Sequence, residues 1–296
     1  MIENFALIIG SAKSGTSSLF SYLAEHSEIA PCGQKETQFF AEPEVFNRGF
    51  TYYQNLWNWE HSKHRVALEA TPNYTRVTHQ DLFNAAEKIA SVRDSKQIKF
   101  KFIYIMRSPI ARIESHYTHL EAWGQENRVR PYAQGLESEI IDVSKYAMQL
   151  DEYYQRFPAQ DILLLNFEDL KANPAGLLRR VCEFLEVEPN YQFQTLNTVY
   201  NSNKVRKKVF LPGWKQIRQT SLLKEIARAT PSWARQNFKN LFGQKVTQQI
   251  KLSAEDKEYV LDYLRSDLQK LDREYQVDTS LWDLPQLVAS SNQTKD

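Results

Sequence analysis

The chain has 296 residues, with 37 lysines and arginines against 36 aspartates and glutamates and a formal net charge of +1. No global field therefore draws it to nucleic acid or an anionic membrane, and any anion site must be local. Two cysteines, Cys32 and Cys182, exclude a disulfide framework and fit a reducing compartment, the cytoplasm being the expectation; the length suits one large α/β domain, read as residues 1–288, with a frayed polar tail over 289–296.

The first apolar run, Phe5 to Ile9, is too short to span a membrane and has no basic region ahead of a cleavage site. It reads as a buried strand. Further strand-length runs follow at Val66-Ala67-Leu68, Phe100 to Met106 and Ile162 to Leu165. Amphipathic segments lie between or after them: Ser17 to Ala24, His79 to Ala90, Ile110 to Leu120 and Leu177 to Leu185. Short, nearly continuous apolar strands alternating with helices predict an α/β fold with a central parallel sheet covered on both faces. Later, Val260, Leu264, Leu268 and Leu271 fall on one face after the N-cap candidate Ser253, which predicts a helix packed on the sheet. The stretch from Trp214 to Phe242 mixes basic residues with large apolar ones at helical spacing. It reads as helices lining the site, peripheral contact with a membrane or lipid being the other reading.

Directly after the first strand comes Gly10-Ser11-Ala12-Lys13-Ser14-Gly15-Thr16-Ser17-Ser18, then a helix. A strand, a turn of small residues and a helix N-terminus aim unpaired backbone N–H groups and a positive dipole end at one point, which suits an anion. The spacing of Gly10 and Gly15 matches the nucleotide triphosphatase loop G-x-x-x-x-G-K-[ST], but Thr16 stands where that loop has lysine, and the lysine here is Lys13, inside the turn. A triphosphatase lysine reaches the terminal phosphates while the next hydroxyl holds Mg²⁺. Lys13, with Thr16, Ser17 and Ser18 at the helix start, suits a single phosphate and its bridging oxygen instead. A second anion site is expected where the strand Phe100–Met106 runs into Arg107-Ser108-Pro109. Pro109 opens a helix, which leaves Arg107 at the carboxyl end of the strand, and Ser115 shares a helix face with Ala111 and Arg112.

These segments resemble the sulfotransferases that use 3′-phosphoadenosine 5′-phosphosulfate (PAPS), and in particular the heparan-sulfate-type and related bacterial members. Lys13-Ser14-Gly15-Thr16-Ser17-Ser18-Leu19 is similar to that family's K-x-G-T-[ST]-x-L, and residues 107–117 are similar to its R-x-P-x-x-R-x-x-S-x-Y. The resemblance implies that residues 13–18 hold the donor's 5′ end, that Arg107 and Ser115 hold its 3′-phosphate, and that no metal is required. Leu165 to Leu170 resembles the Y-E-D-L strand and helix, with Phe167 in place of Tyr. The basic run Asn203 to Lys208 stands where the family closes a basic loop over the 3′-phosphate, which points to Lys204, Arg206 and Lys207.

Gln34 to Phe40 resembles the family's K-E-x-H-F-F, whose glutamate is the proposed base, so the resemblance makes Glu36 the base, with Phe39-Phe40 as apolar surroundings that raise its proton affinity. His116 is the other candidate. Leu68 to Tyr74 resembles E-K-[ST]-P-x-Y. The acceptor side departs from the heparan pattern: Gln38 replaces His, Ala41 stands where some members carry Asp, and Ala70 replaces Lys. The expected reaction is transfer of a sulfuryl group from PAPS, leaving adenosine 3′,5′-bisphosphate (PAP), to a hydroxyl or amine of a small-molecule, carbohydrate or lipid acceptor less anionic than heparan. Competing readings are a P-loop kinase or nucleoside triphosphatase, and a nucleotide-binding scaffold docked on a membrane without catalysis.

Overall fold

The computed structural model describes residues 1–76, 84–122, 136–196, 206–209, 243–246, 249–282 and 284. Through the sheet the order is β1 (Asn4–Gly10), α1 (Thr16–Leu23), β2 (Ile29–Pro31), α2 (Pro43–Phe46), α3 (Phe50–Gln54), β3 (Val66–Ala70), α4 (Ala85–Lys96), β4 (Lys99–Met106) and α5 (Pro109–Ala122). Then come α6 (Ser138–Asp142), α7 (Tyr146–Tyr154), β5 (Ile162–Asn166), α8 (Phe167–Ala172), α9 (Pro174–Leu185), β6 (Arg206–Val209), β7 (Gly243–Val246) and α10 (Ala254–Tyr275). Among the described residues no helix is long and apolar enough to cross a membrane.

Contacts divide the chain into two compact units, one of Met1–Ile113, Leu136–Asn201 and Leu252–Asp296, the other of Glu114–Gly135 and Ser202–Lys251. The first holds a five-stranded sheet in the order β2-β3-β1-β4-β5, parallel at every pairing. The parallel sheet is therefore as the apolar runs predicted. In the second unit, Lys251 pairs with the buried Glu114 at 2.7 Å, Thr118 Oγ1 accepts the Ile250 N–H at 3.0 Å, and β6 pairs antiparallel with β7.

Strand alternation sends side chains to two chemically different layers. Ala6, Ile8, Val66, Leu68, Ile103 and Ile105 face one side, where Leu19, Phe20 and Leu23 of α1 and Leu178, Val181 and Leu185 of α9 cover them. Each valine, leucine, isoleucine or phenylalanine among them contributes ~1.5–3 kcal/mol when fully buried. Phe5, Phe100 and Phe102 face the other way into an aromatic layer. The Phe5 ring stacks on Phe100 at 5.6 Å and on Tyr53 at 5.5 Å, and meets the edge of Trp57 at 5.3 Å; Phe102 meets Tyr153 at 5.1 Å.

Ser253 does cap α10, in a full capping box with Asp256, and Val260, Leu264, Leu268 and Leu271 are buried as expected. Its partner is chiefly α7 rather than the sheet itself. Asp267 makes that junction by accepting the N–H groups of Ala147 at 3.1 Å and Met148 at 2.8 Å, so it caps the start of α7. Burial pushes the Asp267 carboxyl up from 3.8 to about 6. A proton held more tightly in the folded state stabilises it fully below the unfolded value, and that contribution, at most ~3 kcal/mol, is lost as the pH rises through about 6. Thermal melts of Asp267→Asn between pH 4 and 7 are expected to lack this fall; a slope equal to the parent's would show that the carboxylate is ionised throughout.

The helix expected from His79 begins among described residues at Ala85, residues 77–83 lying outside them. Also outside are Trp214 to Phe242 and the tail from 289 to 296.

Candidate active site

Because every strand of the sheet is parallel, β1, β2, β3, β4 and β5 deliver their following segments at one edge. Residues 11–15, 32–40, 71–75, 107–108 and 167–172 all leave from it. The chain leaves β1 toward β2 and β4 toward β5, so the outgoing connections diverge between β1 and β4. That divergence opens a crevice at the carboxyl ends of parallel strands, the usual ligand position in such sheets.

The loop after β1 leaves the sheet at this divergence. The Ser11 N–H donates to Ile105 O at 2.7 Å, the Ser14 N–H donates to Ser11 O at 3.2 Å, and the Ser11 and Ser14 hydroxyls share a 2.6 Å bond, which closes the turn and ties it to β4. Lys13 (φ 73°) and Gly15 (φ 93°) both adopt left-handed backbone. This reverses the chain so that α1 begins at once, and Gly15 offers no side-chain cap to the first-turn amides. Ser14 and Thr16 are buried, whereas Lys13, Ser17 and Ser18 are half-buried. A Cβ on Gly10 would lie 2.2 Å from Thr75 Oγ1 and 2.4 Å from the Tyr104 ring, so the loop can start here only without a side chain.

Arg107, at the end of β4, reaches this loop. Its Nη1 donates to Lys13 O at 3.3 Å, and its guanidinium lies 5.0 Å from the centre of the Phe167 ring. Lys171 Nζ lies 5.7 Å from the same ring. On Gly15 a Cβ would sit 2.5 Å from Phe167 Cδ2, so Phe167 packs against both the loop and the arginine. Gly15→Ala is expected to cost ~1–3 kcal/mol of stability and to weaken PAP binding, because the new methyl meets Phe167 in a backbone conformation L-residues disfavour. Melting and titration of this variant, with Phe167→Ala added to recover part of the loss, would check it; unchanged values would contradict the contact.

Ser115 is buried on α5 and His116 follows it half-buried. Arg112 turns inward, its Nε donating to Ser144 Oγ and its Nη2 to Ile140 O, and is a structural group. Lys204 lies outside the described residues. The basic run is not a loop throughout: Arg206 and Lys207 are in β6, opposite Val246 and Lys245 of β7.

Glu36, the expected base, is exposed and pairs with Lys35 at 2.8 Å. Phe39 and Phe40 do not enclose it; they are buried in the aromatic layer, Phe39 stacking on Tyr53 at 4.5 Å, because the left-handed backbone at Gln38 (φ 58°) turns the chain between them and Glu36. The buried carboxylate of this region is Glu69, on β3 in register with Leu7. Its Oε1 accepts from Thr37 Oγ1 at 2.5 Å, Thr71 Oγ1 at 2.6 Å and the Tyr74 hydroxyl at 2.8 Å, and its Oε2 accepts from the Tyr53 hydroxyl. Burial pushes its proton affinity up and the hydroxyl donors pull it back. Asn73 Nδ2 donates to Gln38 Oε1 at 3.2 Å, a further bond between segments 34–40 and 68–74.

The sulfotransferase domain family matches residues 4–256 of this chain. The chain belongs to that family. It is a sulfotransferase domain, similar in sequence to heparan-sulfate-type members. Heparan sulfate glucosamine 3-O-sulfotransferase 3B1 of Mus musculus is 31% identical over 199 residues, covering 61% of this chain and 45% of its own. The bifunctional heparan sulfate N-deacetylase/N-sulfotransferase of Drosophila melanogaster is 26% identical over 211 residues, covering 62% of this chain and 20% of its own. The match thus spans less than half the length of these relatives. A sulfotransferase from Alicyclobacillus acidocaldarius has the same fold, with a TM-score of 0.61 at 21% identity, covering 95% of this chain and 99% of that one.

Within the sulfotransferase frame, the loop and the strand-end arginine lie together, with Phe167 beneath both. Glu69 is the residue that sequence reasoning passed over. The available signal was a lone carboxylate in the strand Val66-Ala67-Leu68-Glu69-Ala70, followed by Thr71 and Tyr74 as hydroxyl donors. A charged residue inside an apolar strand must find such partners. Among the described residues no group of three or more His, Cys, Asp or Glu side chains could hold a metal ion.

Proposed function

We propose that residues 1–288 form one domain that transfers a sulfuryl group from PAPS to a hydroxyl of an acceptor less anionic than a heparan chain. The supporting observation is the hydrogen bond from Arg107 Nη1 to Lys13 O, which brings the arginine at the end of β4 onto the backbone of the loop that carries Lys13, at the switch point of the sheet. The donor fits the residues there: α1 opens without a side-chain cap, Gly15 leaves room for close approach, and Lys13 and Arg107 supply positive charge. PAPS supplies an activated sulfuryl group on a phosphate leaving group. In this reading Lys13 and the first-turn amides over Thr16, Ser17 and Ser18 stabilise charge at the bridging oxygen, while Arg107 and Ser115 hold the 3′-phosphate, with Lys204, Arg206 and Lys207 as further contacts.

The acceptor oxygen forms its bond to sulfur as the sulfur–phosphate oxygen bond breaks, the electron pair leaves on the phosphate, and the acceptor proton passes to the Glu36 carboxylate. Ala70 in place of lysine and the neutral Gln38–Asn73 amide pair reduce the positive charge offered to an acceptor, which favours an uncharged sugar, phenol or alcohol. The buried free thiols Cys32 and Cys182 fit a reducing compartment such as the cytoplasm.

Incubation with radiolabelled PAPS and acceptors sorted by polarity and charge tests this. Label is expected in the neutral fractions; label mainly in heparan fragments would overturn the acceptor assignment. Absence of PAP release with any fraction, together with binding of ATP and Mg²⁺, would overturn the reaction.

A further inference from the structure

Among the described residues a fully buried carboxylate is held by hydroxyls in the aromatic layer, and desolvating it costs several kcal/mol unless its acceptor capacity is filled. Glu69 meets that requirement with the hydroxyls of Thr37, Thr71, Tyr74 and Tyr53. Two of them pass the interaction on. Thr37 Oγ1, donating to Glu69, accepts the Phe39 N–H at 3.1 Å, and the Tyr74 hydroxyl, donating to Glu69, accepts the Phe40 N–H at 3.3 Å. In its ionised form the carboxylate accepts and cannot donate, so it fixes the direction of both O–H groups and leaves their lone pairs for the backbone. The turn over residues 37–40 is therefore oriented from Glu69, and Glu36 is covalently its first neighbour.

We propose that Glu69 is a positioning residue for sulfuryl transfer: it holds the 37–40 turn, through Thr37 and Tyr74, in the geometry that presents Glu36 and Gln38 to the acceptor. It touches neither donor nor acceptor. This rests on the reading of Glu36 as the base. Nothing ties Glu69 to the donor loop by a hydrogen bond among those described, so donor affinity and acceptor turnover separate in the test. The Tyr53 hydroxyl supplies an internal control: it bonds the opposite oxygen of the same carboxylate from α3 and, among the described hydrogen bonds, makes none to the 37–40 turn.

The experiment compares Glu69→Gln, Thr37→Val, Thr37→Ser and Tyr53→Phe for melting temperature, PAP affinity, PAP release from radiolabelled PAPS with a mixed set of neutral glycosides, phenols and alcohols, and amide exchange at Phe39 and Phe40. Glu69→Gln and Thr37→Val should lower kcat by about 10²-fold, the scale of an ångström-sized misplacement, with PAP affinity unchanged; amide exchange should quicken at both Phe39 and Phe40 in Glu69→Gln and at Phe39 in Thr37→Val. Thr37→Ser, which keeps the oxygen, should restore turnover. Tyr53→Phe should melt lower while turning over at the parent rate. Turnover falling in step with melting temperature across all four variants would overturn the proposal, because a merely structural role predicts that. Glu36→Gln separates the two claims. If it turns over normally while Thr37→Val does not, the base assignment fails and the oriented turn stands; if it is inactive while Thr37→Val is normal, the turn proposal fails and the base assignment stands.

Discussion

Lys13→Ala is expected to lower sulfuryl transfer by about 10³-fold while the protein folds and melts as the parent does, in line with removal of a preorganised charge from a developing anion. The reason lies in the loop geometry. Lys13 sits in left-handed backbone between the Ser11–Ser14 turn and Gly15, and its carbonyl is held by Arg107. The backbone course is set by these contacts and survives loss of the side chain. Lys13→Gly sharpens the test, because glycine relieves the ~1 kcal/mol that a left-handed residue costs. It should be equally inactive and at least as stable. Parent-level turnover in either variant, read as PAP formed from radiolabelled PAPS, would remove Lys13 from the mechanism.

The second large effect is expected at Arg107. A charge-assisted hydrogen bond to phosphate contributes ~1.5–3 kcal/mol, so Arg107→Ala should weaken PAP binding by roughly 10- to 100-fold. The loss should be specific: binding of adenosine 5′-monophosphate, which lacks the 3′-phosphate, should change little, and the preference for PAP over it should collapse. Arg107→Lys keeps the charge but not the planar fork that both donates to Lys13 O and lies over Phe167, and should fall between parent and alanine. Equal weakening of both nucleotides would show that the arginine supports the loop rather than reads the phosphate.

The features legible in the sequence are those fixed by local chemistry. Val66, Phe100 to Met106 and Ile162 to Leu165 are strands because apolar runs of that length between helices have one way to be covered on both faces, and Ser253 opens α10 because its hydroxyl meets Asp256 one turn on. Arg107 is placed by Pro109, which can only begin the next helix. The features not legible are those decided by distant pairing. The edge strand β2 is three residues ending in proline, and β6 finds β7 across an intervening stretch of more than thirty residues. Phe39 and Phe40 lie three and four residues from Glu36 but serve the aromatic layer, since the turn at Gln38 separates them from it. Glu69 is a carboxylate whose four partners come from three separate segments, and only the fold collects them.

Calorimetric titration of the parent protein with PAP, and in parallel with ATP and Mg²⁺, tests most directly whether the loop after β1 and the arginine after β4 form one nucleotide site. One PAP bound per chain, in preference to ATP, is the result expected. Absence of a PAP complex, or tighter binding of ATP with Mg²⁺, would contradict it.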